Sequence, residues 1–281
     1  MTESRAILLT GCSSGIGYTC AHGLKVRGWQ VIASCRRQVD VDRLRGEGLR
    51  CVLIDYEDEA SIHAGFEEAL NLTEGRLDAL FNNGAYAIPG MTEDLPTDAL
   101  RQIFEANVFG WHTLTCRAVP VMREAGWGRI VQCSSVLGFA ALKGRGAYNT
   151  TKFALEGLTD TLRVELHGTG IHVVLIEPGP IATKFRENAR PQFEKWIAPI
   201  VEHSPWEDFY ETTVKPRLYD PDDRKDRFEL GPEAVLRKLV HAIESERPRP
   251  RYYVTTPTHV VGALKRVLPT RWFDAVLRRG S

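Results

Sequence analysis

A tyrosine and a lysine near the middle of the chain could carry out acid–base chemistry together. Tyr148 and Lys152 are four positions apart, so a helix would place both side chains on one face. Tyrosine ionises near pH 10, so acid–base work at neutral pH is expected to need a pKa lowered by about 3 units, or about 4 kcal/mol. A lysine ammonium about 4 Å away supplies about 1 kcal/mol in bulk water and about 4 kcal/mol near a protein surface. The pair therefore works only in a partly shielded cleft.

A serine could complete this group. Ser135 lies thirteen residues before Tyr148, at the predicted end of a strand. Its hydroxyl could donate a hydrogen bond to a substrate carbonyl and polarise it for attack by a hydride. A tyrosine and a lysine at this spacing also occur as two exposed residues on an ordinary helix. The pair therefore indicates catalysis only where a cofactor site accompanies it.

A glycine-rich turn follows the first predicted strand and opens a predicted helix. From Thr10 to Gly17 it places glycine at positions 11, 15 and 17. Glycine allows a sharp turn and a close approach to a pyrophosphate, while the helix N-terminus supplies free N–H groups and a partial positive charge. Cys20 stands where the usual dinucleotide pattern has its third glycine. Because the turn joins strand one to helix one, we interpret it as a dinucleotide site rather than a plain turn.

Two arginines end the second predicted strand and bear on which dinucleotide binds. Arg36 and Arg37 stand 19 and 20 positions after Gly17, and no carboxylate accompanies them. An acidic residue about 20 positions downstream holds the ribose 2′-hydroxyl of NAD, whereas arginine accommodates the 2′-phosphate of NADP. A guanidinium binds phosphate bidentately, and a carboxylate would repel it. The arginines favour NADP(H), and the alternative is a solvated pair at a strand end.

The elements that must position these residues follow from the hydrophobic pattern. Short apolar runs alternate with amphipathic stretches of helical length, which is typical of parallel βαβ units. The predicted strands are 5–10, 30–35, 50–54, 77–81, 128–133 and 171–176, with a short strand near 252–254. The predicted helices are 15–27, 58–72, 97–125, 147–168 and 232–245. Right-handed crossovers then give a single α/β domain with a doubly wound, Rossmann-like parallel sheet.

The regular alternation ends after residue 180. Residues 185–228 contain eight aromatic residues and no clear regular structure. Such segments usually form binding loops or lids, or are disordered, and the aromatic content favours a lid. We therefore divide the domain into a cofactor-binding and catalytic core (1–183), a substrate loop or lid (184–230) and a C-terminal helix, strand and tail (231–281). The aromatic residues expected to wall an apolar pocket are Phe185, Phe193, Trp196, Trp206 and Phe209.

The composition excludes several classes of function. The 281 residues carry 36 basic and 36 acidic side chains, and 43% of them are hydrophobic. This balance argues against disorder and against a nucleic-acid partner. No apolar run approaches the roughly 18 residues of a transmembrane segment, and the first apolar run is too short for a signal peptide. Six cysteines without a Cys-x-x-Cys pair indicate reduced thiols in a cytoplasmic protein, and no metal-ligand spacing is present, so we expect no metal.

The C-terminal tail is basic and amphipathic. Residues 258–279 carry five basic side chains against one acidic side chain, and Pro269 is expected to divide them into two short helices. Such a segment with tryptophan and phenylalanine could make peripheral contact with an anionic membrane. The interpretation we favour is that the tail packs over the pocket or against a partner subunit.

Together, and in this order, these motifs resemble the short-chain dehydrogenase/reductase family, in its single-domain branch. The likeness extends from about Arg5 to Thr183. The resemblance implies a catalytic set consisting of Asn107, Ser135, Tyr148 and Lys152. In that set the tyrosine exchanges a proton with the substrate oxygen, and the lysine lowers the tyrosine pKa and holds the nicotinamide ribose. The serine orients the carbonyl, and the asparagine binds a water in the proton relay.

The resemblance also implies which residues hold the cofactor. Asp55 matches the aspartate that contacts adenine, and 82–85 matches the stretch after strand four with its last two residues exchanged. Residues 178–183 resemble the segment that receives the nicotinamide carboxamide. The implied cofactor-binding residues are Gly11, Ser13, Ser14, Gly15, Ile16, Gly17, Arg36, Arg37, Asp55, Asn83, Gly84, Tyr148, Lys152, Pro178, Gly179, Ile181 and Thr183.

These features predict an NADP(H)-dependent oxidoreductase that interconverts an apolar alcohol and an aldehyde or ketone. The sequences of the motifs look closest to those of carbonyl, retinol and hydroxysteroid reductases. Dimers in this family often pair the helices equivalent to 97–125 and 147–168, so we expect a homodimer or homotetramer. The alternative is a catalytically weak NADP(H)-sensing module that acts through a partner protein.

Overall fold

A parallel sheet forms the centre of the molecule. The computed structural model describes residues 4–219, 226 and 228–279. Within these residues seven strands pair in the order β3-β2-β1-β4-β5-β6-β7, and every pair is parallel. The strands are β1 (Ala6–Leu9), β2 (Gln30–Cys35), β3 (Arg50–Leu53), β4 (Ala79–Asn82), β5 (Gly128–Cys133), β6 (Ile171–Glu177) and β7 (Arg251–Tyr253). The order reverses between β1 and β4, which confirms the predicted doubly wound, Rossmann-like sheet.

Helices flank this sheet. They are α1 (Gly15–Val26), α2 (Gln38–Gly46), α3 (Glu59–Leu72), α4 (Thr97–Phe104), α5 (Gly110–Glu124), α6 (Gly146–Glu165), α7 (Phe185–Trp196), α8 (Glu207–Phe209), α9 (Lys215–Tyr219), α10 (Glu233–Glu244), α11 (Thr256–Val267) and α12 (Thr270–Arg279). The predicted helix 97–125 is divided, because a π-helical turn (Glu105–Phe109) lies between α4 and α5. No helix of the described residues is long and apolar enough to cross a membrane.

The polar residues that could bind a ligand lie at the ends of the strands, because the strands themselves are buried. All four residues of β1 are fully buried, as expected for a parallel strand covered on both faces. Such strands leave little room for polar side chains except at their ends. Ligands of doubly wound sheets bind in the crevice beyond the carboxyl ends of the strands, where the strand order reverses. The loops after β1, β4, β5 and β6 meet there.

The helix α2 was not predicted from the sequence. The helix α2 buries only Asp40, Val41 and Leu44, while Val39 is exposed. Two buried apolar positions do not establish a helical periodicity, since detection depends on several repeats of the pattern. The helix nevertheless matters for the site, because it begins directly after Arg37.

The expectation that residues 185–228 have no regular structure was wrong for the described part of this segment. Helix α7, a 3₁₀ turn (Ala198–His203), α8, a π-helical turn (Tyr210–Val214) and α9 follow one another there. Prolines at 191, 199, 205 and 216 interrupt the hydrophobic pattern and concealed these helices. Of the charged run at 220–227, only Asp226 lies within the described residues.

This helical segment is anchored to the rest of the domain. Tyr210 is fully buried, and its hydroxyl donates a hydrogen bond to Asp94 Oδ2 at 2.6 Å. The same hydroxyl accepts a hydrogen bond from the Met91 N–H at 2.9 Å. Phe193 is also fully buried and packs 6.1 Å from the Tyr210 ring. Phe193 therefore belongs to the core rather than to a pocket wall.

The tail forms two helices, as predicted, and they separate at Pro269. Gly262 of α11 packs closely on Tyr253, since a Cβ at this glycine would lie 2.6 Å from the tyrosine ring. Phe273 of α12 is buried, and the Lys265 ammonium lies 5.2 Å from the centre of its ring. Trp272, by contrast, is exposed. The tail thus contacts the rest of the domain at Gly262, while packing over the pocket or against a partner subunit stays a prediction.

Candidate active site

Tyr148 and Lys152 lie side by side in the crevice beyond the strand ends. Both are on α6, and they are 8% and 1% exposed. The Lys152 ammonium donates a hydrogen bond to the carbonyl oxygen of Cys133, the last residue of β5, at 2.8 Å. It lies 4.3 Å from the centre of the Trp111 ring and 5.5 Å from that of the Tyr148 ring. The helical spacing thus places phenol and ammonium together in a shielded position.

Burial has opposite effects on the charges of the two side chains. Burial raises the pKa of Tyr148 well above its usual value, and a hydrogen bond with Ser135 lowers it only in part. Burial lowers the pKa of Lys152 to about 8, opposed by the charges of Cys133 and Glu156. Both shifts disfavour the charged form, as expected in a low-dielectric site. The expected fall in the pKa of Tyr148 is therefore not found in the protein without a bound cofactor, because burial outweighs the effects that lower it. At neutral pH the phenol keeps its proton, and most of the lysine remains an ammonium.

Ser135 is held against the phenol by the turn that follows β5. The residue is extended (φ −165°, ψ 163°), and its hydroxyl accepts a hydrogen bond from the Leu137 N–H at 3.1 Å. That bond leaves the hydroxyl hydrogen free to point toward Tyr148 or a ligand. The hydroxyl groups of Ser135 and Tyr148 can therefore both donate a hydrogen bond to one oxygen atom of a bound molecule.

Asn107 occupies the π-helical turn and is fully buried. Its Oδ1 accepts a hydrogen bond from the Tyr86 N–H at 3.2 Å, and its Nδ2 donates to the Tyr86 carbonyl at 2.9 Å. Nδ2 also lies 3.3 Å from the Thr151 hydroxyl. π-Helical turns re-aim one side chain and are frequent at functional sites. The asparagine thus ties the segment after β4 to α6, next to Lys152.

The glycine-rich turn has the geometry that an anionic ligand requires. Gly11 and Gly15 have φ of 65° and 57°, and a Cβ at Gly11 would lie 2.5 Å from the Gly84 Cα. Ser14 caps α1 with extended backbone and without a side-chain hydrogen bond, and no acidic residue occupies the first turn. The N–H groups and the positive end of the helix dipole therefore remain available to a phosphate.

The remaining residues of the turn pack closely. A Cβ at Gly17 would overlap the Gly11 carbonyl oxygen, so Gly17 allows the helix to approach the strand end. Ile16 is half-buried and packs against the hydrophobic core. Cys20, at the position of the usual third glycine, is fully buried and small enough to fit. The departure from the usual glycine spacing therefore leaves the close packing intact.

Sequence reasoning missed the residue that joins this turn to β4. The Thr10 hydroxyl accepts hydrogen bonds from the Asn83 N–H at 2.9 Å and from the Tyr56 hydroxyl at 2.8 Å. Asn83 Nδ2 donates to the Thr10 carbonyl at 3.1 Å. A polar residue at the end of a buried strand, directly before Gly11, was the available signal. The glycine that is displaced in the 82–85 stretch, Gly84, lies directly against Gly11, and any Cβ there would press on it.

The two arginines after β2 are not equivalent. Arg37 caps α2, and its Nε and Nη2 each lie 2.8 Å from Asp40 Oδ2. Arg36 is exposed and makes no hydrogen bond or ion pair within the described part of the chain. Of the two arginines, Arg36 has its guanidinium available.

Asp55, the residue expected to contact adenine, is half-buried, and its Oδ1 accepts a hydrogen bond from the Glu57 N–H at 3.1 Å.

A third arginine approaches the glycine turn from the helix that was not predicted. Arg43 on α2 donates from Nη2 to the Ser13 carbonyl at 2.7 Å and pairs with Glu47 at 2.8 Å. Its position could have been found only by placing α2 in the gap between the second and third strands.

The segment after β6 closes the crevice opposite the turn. The Pro178 carbonyl accepts a hydrogen bond from the Val136 N–H at 2.8 Å, and Gly179 packs on Thr255. Ile181 pairs with Leu230 in a parallel bridge. Thr183 accepts a hydrogen bond from the Phe185 N–H at 3.3 Å and reaches across to Gly15, where a Cβ would lie 3.0 Å from its methyl group.

One of the expected aromatic residues borders the phenol. Phe185 meets Tyr148 edge to face, with ring centres 5.3 Å apart. Trp206 and Phe209 instead pack around the Lys143 ammonium, which lies 4.3 Å from the centre of each ring. Trp196 is half-buried and packs against the core. Phe185 is therefore the aromatic residue that the structure places beside Tyr148.

Comparison with known proteins identifies the family. The model for short chain dehydrogenase matches residues 5–194. The chain belongs to the short-chain dehydrogenase family. It is 40% identical over 274 residues to the Escherichia coli uncharacterized oxidoreductase YbbO, covering 98% of this chain and 94% of that protein.

Two further relatives of this short-chain dehydrogenase carry more specific names. Human retinol dehydrogenase 8 is 31% identical over 253 residues, which cover 87% of this chain and 79% of that protein. The NADPH-dependent 3-dehydrocapnine reductase of Ornithobacterium rhinotracheale is 29% identical over 280 residues, covering 97% and 95%. The chain is thus an oxidoreductase of a family that uses nicotinamide cofactors.

The glycine turn provides the first testable prediction. Replacing Gly11 by Ala forces a side chain into the left-handed region and against the Gly84 backbone, so the turn must shift and would hold a pyrophosphate less well. We expect the Kd for NADPH, measured by nucleotide fluorescence, to rise about tenfold or more. Gly46→Ala is the control, because a Cβ at this exposed position at the end of α2 meets nothing within 4 Å. Unchanged affinity in Gly11→Ala would place the cofactor elsewhere.

Proposed function

We propose that this short-chain dehydrogenase is an NADP(H)-dependent carbonyl reductase that acts on apolar aldehydes or ketones and, in reverse, on the corresponding alcohols. The observation that carries the proposal is the buried Tyr148–Lys152 pair, with Ser135 against the phenol. When bound, the nicotinamide supplies or accepts the hydride. The protein supplies orientation, a shielded site and the proton.

The protonation states suit reduction. A phenol whose pKa is raised by burial holds its proton at neutral pH and can donate it to a carbonyl oxygen that gains negative charge. Ser135 would donate a hydrogen bond to the same oxygen. The Lys152 ammonium beside the ring would stabilise the phenolate that remains. Asn107 is proposed to hold the water that returns a proton to this group.

The cofactor residues are proposed from their positions around the crevice. The turn from Gly11 to Gly17 would hold the pyrophosphate, with Asn83 and Gly84 beside it. Asp55 would contact the adenine, and Lys152 with Tyr148 would hold the nicotinamide ribose. The segment from Pro178 to Thr183 would receive the carboxamide. Residues 1–183 would form the cofactor-binding and catalytic core, and residues 231–281 the C-terminal helix, strand and tail. Within 184–230, Phe185 would border the substrate, while Phe193 and Tyr210 anchor the segment to the domain.

Tyr148→Phe tests the acid directly. The variant keeps the ring and its contact with Phe185 but removes the ionisable oxygen. We expect kcat for NADPH-dependent reduction to fall about 10²–10⁴-fold, with the Kd for NADPH within about threefold of wild type. The substrates are medium-chain aldehydes, ketones, steroids and retinoids, and NADPH absorbance is the readout.

Tyr252→Phe is the matched control for that experiment. Its hydroxyl bonds to His241 at 2.7 Å and to the Arg249 N–H at 2.9 Å, on the edge strand β7, and turnover should persist. Full activity in Tyr148→Phe would remove the tyrosine from the chemistry. Tight NADPH binding by the wild type without turnover of any substrate would instead favour the sensing module.

Arg36 is the proposed determinant of NADP(H) preference. Its guanidinium has no partner in the described residues, whereas Arg37 is engaged by Asp40. A hydrogen bond to a charged group contributes about 1.5–3 kcal/mol, so Arg36→Ala should raise the Kd for NADPH about 10–150-fold and leave that for NADH unchanged. Arg37→Ala should have the smaller effect. Equal loss of NADH and NADPH affinity in Arg36→Ala would contradict a 2′-phosphate contact.

A homodimer or homotetramer is proposed to pair the α5 and α6 helices of neighbouring subunits. Four apolar side chains on these helices and the adjoining π-helical turn are exposed: Phe109, Phe153, Leu158 and Val164. Leu158→Glu should shift the protein toward a monomer in sedimentation velocity, because it buries a charge in the interface. Val26→Glu, at an exposed position on α1, should not. A wild-type monomer at micromolar concentration would rule this pairing out.

Two further proposals concern the surroundings of the protein. Five of the six cysteines are buried and all six are free thiols, which supports the predicted reducing, cytoplasmic compartment.

Peripheral membrane contact of the tail stays a prediction, supported by the exposed Trp272 among basic residues such as Lys265 and Arg271.

A further inference from the structure

A cluster of charged side chains joins α6 to β6 and β7 beside the proposed catalytic pair. Arg251 donates from Nη1 to Glu156 and, at 2.6 Å, to Glu177 Oε1. Its Nη2 donates to Asp160 Oδ2 at 2.6 Å. Glu177 is fully buried and Glu156 is 7% exposed, whereas Asp160 lies at the surface end of the cluster. One guanidinium therefore faces three carboxyl groups, two of them away from water.

The two buried carboxyl groups cannot both remain ionised at low cost. They approach the same nitrogen of Arg251, and like charges that share a buried site raise one pKa strongly. Burial, and then the neighbouring charge of Glu156, raises the pKa of Glu177, although Arg251 opposes this. Glu156 Oε1 and Glu177 Oε2 are buried and have no hydrogen-bond donor among the described residues. One proton held by Glu177 and shared with Glu156 would give these two oxygens a hydrogen bond.

Glu156 also lies one helical turn beyond Lys152, on the face of α6 that carries Tyr148. Its charge raises the pKa of Lys152 against the effect of burial. The other titratable group that acts on this lysine is Cys133 of β5. From β7, Tyr253 and Arg251 face the two carboxyl groups.

The same carboxyl group supports the turn that carries Ser135. A Cβ at Gly138 would lie 2.5 Å from the Ser134 hydroxyl and 2.8 Å from Glu156 Oε1. Glu156 therefore packs directly beneath the turn between β5 and α6. Glu156 thus contacts the turn that follows Ser135, and its charge acts on Lys152.

We propose that Glu156 is a positioning residue for the reduction: it shares one proton with Glu177 on the guanidinium of Arg251, and its charge keeps Lys152 protonated. The inference rests on the proposed function of Tyr148 and Lys152. It gives a function to the buried pair of Glu156 and Glu177, which takes no direct part in the proton transfer.

The first test is the pH dependence of kcat/KM for NADPH-dependent reduction. In the wild type the rate should fall above about pH 8, as the Lys152 ammonium is lost. Glu156→Gln keeps the shape and the contact with Arg251 but removes the charge, so this alkaline limb should move to lower pH by about one unit. Glu156→Asp keeps the charge and should restore most of the shift.

Two neighbouring variants serve as controls. Asp160→Asn removes a carboxylate from the same guanidinium at the exposed end of the cluster, and Glu177→Gln imitates the protonated acid. Both should leave the alkaline limb in place. An unmoved limb in folded Glu156→Gln, or equal shifts in Glu156→Gln and Asp160→Asn, would overturn the proposal.

The second test needs no catalysis. A glutamic acid whose pKa is raised by folding stabilises the protein fully below its unfolded pKa of about 4.3, and this stabilisation is lost as pH rises through the folded value. Glu177→Gln cannot lose that proton, so the Tm of the wild type should decline relative to the variant as pH rises from about 5 to 9. A constant difference in Tm would overturn the shared proton. If the wild type reduces no carbonyl substrate, the proposed function fails while this test of the acid pair still stands.

Discussion

The arrangement of the active site depends on the burial of one positive charge. Lys152 is 1% exposed and holds its ammonium on the Cys133 carbonyl and on the face of Trp111. A buried charge is costly unless it is paired or hydrogen-bonded, so these partners must stay in place. The Trp111 ring is fixed in turn, because its Nε1 donates to the Gly84 carbonyl at 2.8 Å. Gly84 lies against Gly11. Trp111 therefore connects the Lys152 ammonium, which lies on its ring, to the segment that packs on the glycine turn.

The same burial sets the limits of the chemistry. A shielded cleft makes the ammonium effective on the phenol, since charge interactions strengthen as the dielectric constant falls. Yet the shielding also raises the pKa of Tyr148 and lowers that of Lys152. The protein alone therefore favours a neutral phenol, which is the form that a proton donor requires. Glu156 is placed where it can counteract the loss of the ammonium proton without touching the substrate.

Much of this site was predictable because its signals are local. The spacing of Tyr148 and Lys152 fixes their common face on any helix, and the turn from Gly11 to Gly17 lies between two elements with clear patterns. Buried parallel strands give continuous apolar runs, so six of the seven strands and their assembly into one doubly wound sheet followed from the sequence, with the edge strand placed only approximately.

What escaped prediction depends on contacts distant in sequence or on weak periodicity. The link from Arg251 to Glu156 and Glu177 joins residues 95 and 74 positions apart. The engagement of Arg37 by Asp40 required α2, whose pattern is too short to detect. The helices between Phe185 and Tyr219 were hidden by prolines, and only their packing around Tyr210 and Phe193 shows that they are part of the core.

Ultraviolet titration of the phenolate of Tyr148, taken as the difference between wild type and Tyr148→Phe, tests the central claim most directly. In the free protein Tyr148 is predicted to ionise above the usual tyrosine pKa of about 10, because burial outweighs the hydrogen bond with Ser135 and the positive charge of Arg145. If NADP⁺ binds in this crevice as proposed, its positively charged nicotinamide would favour the phenolate, and the pKa of Tyr148 is predicted to fall. An ordinary tyrosine pKa that is the same with and without NADP⁺ would show that the phenol is neither buried beside Lys152 nor next to the nicotinamide.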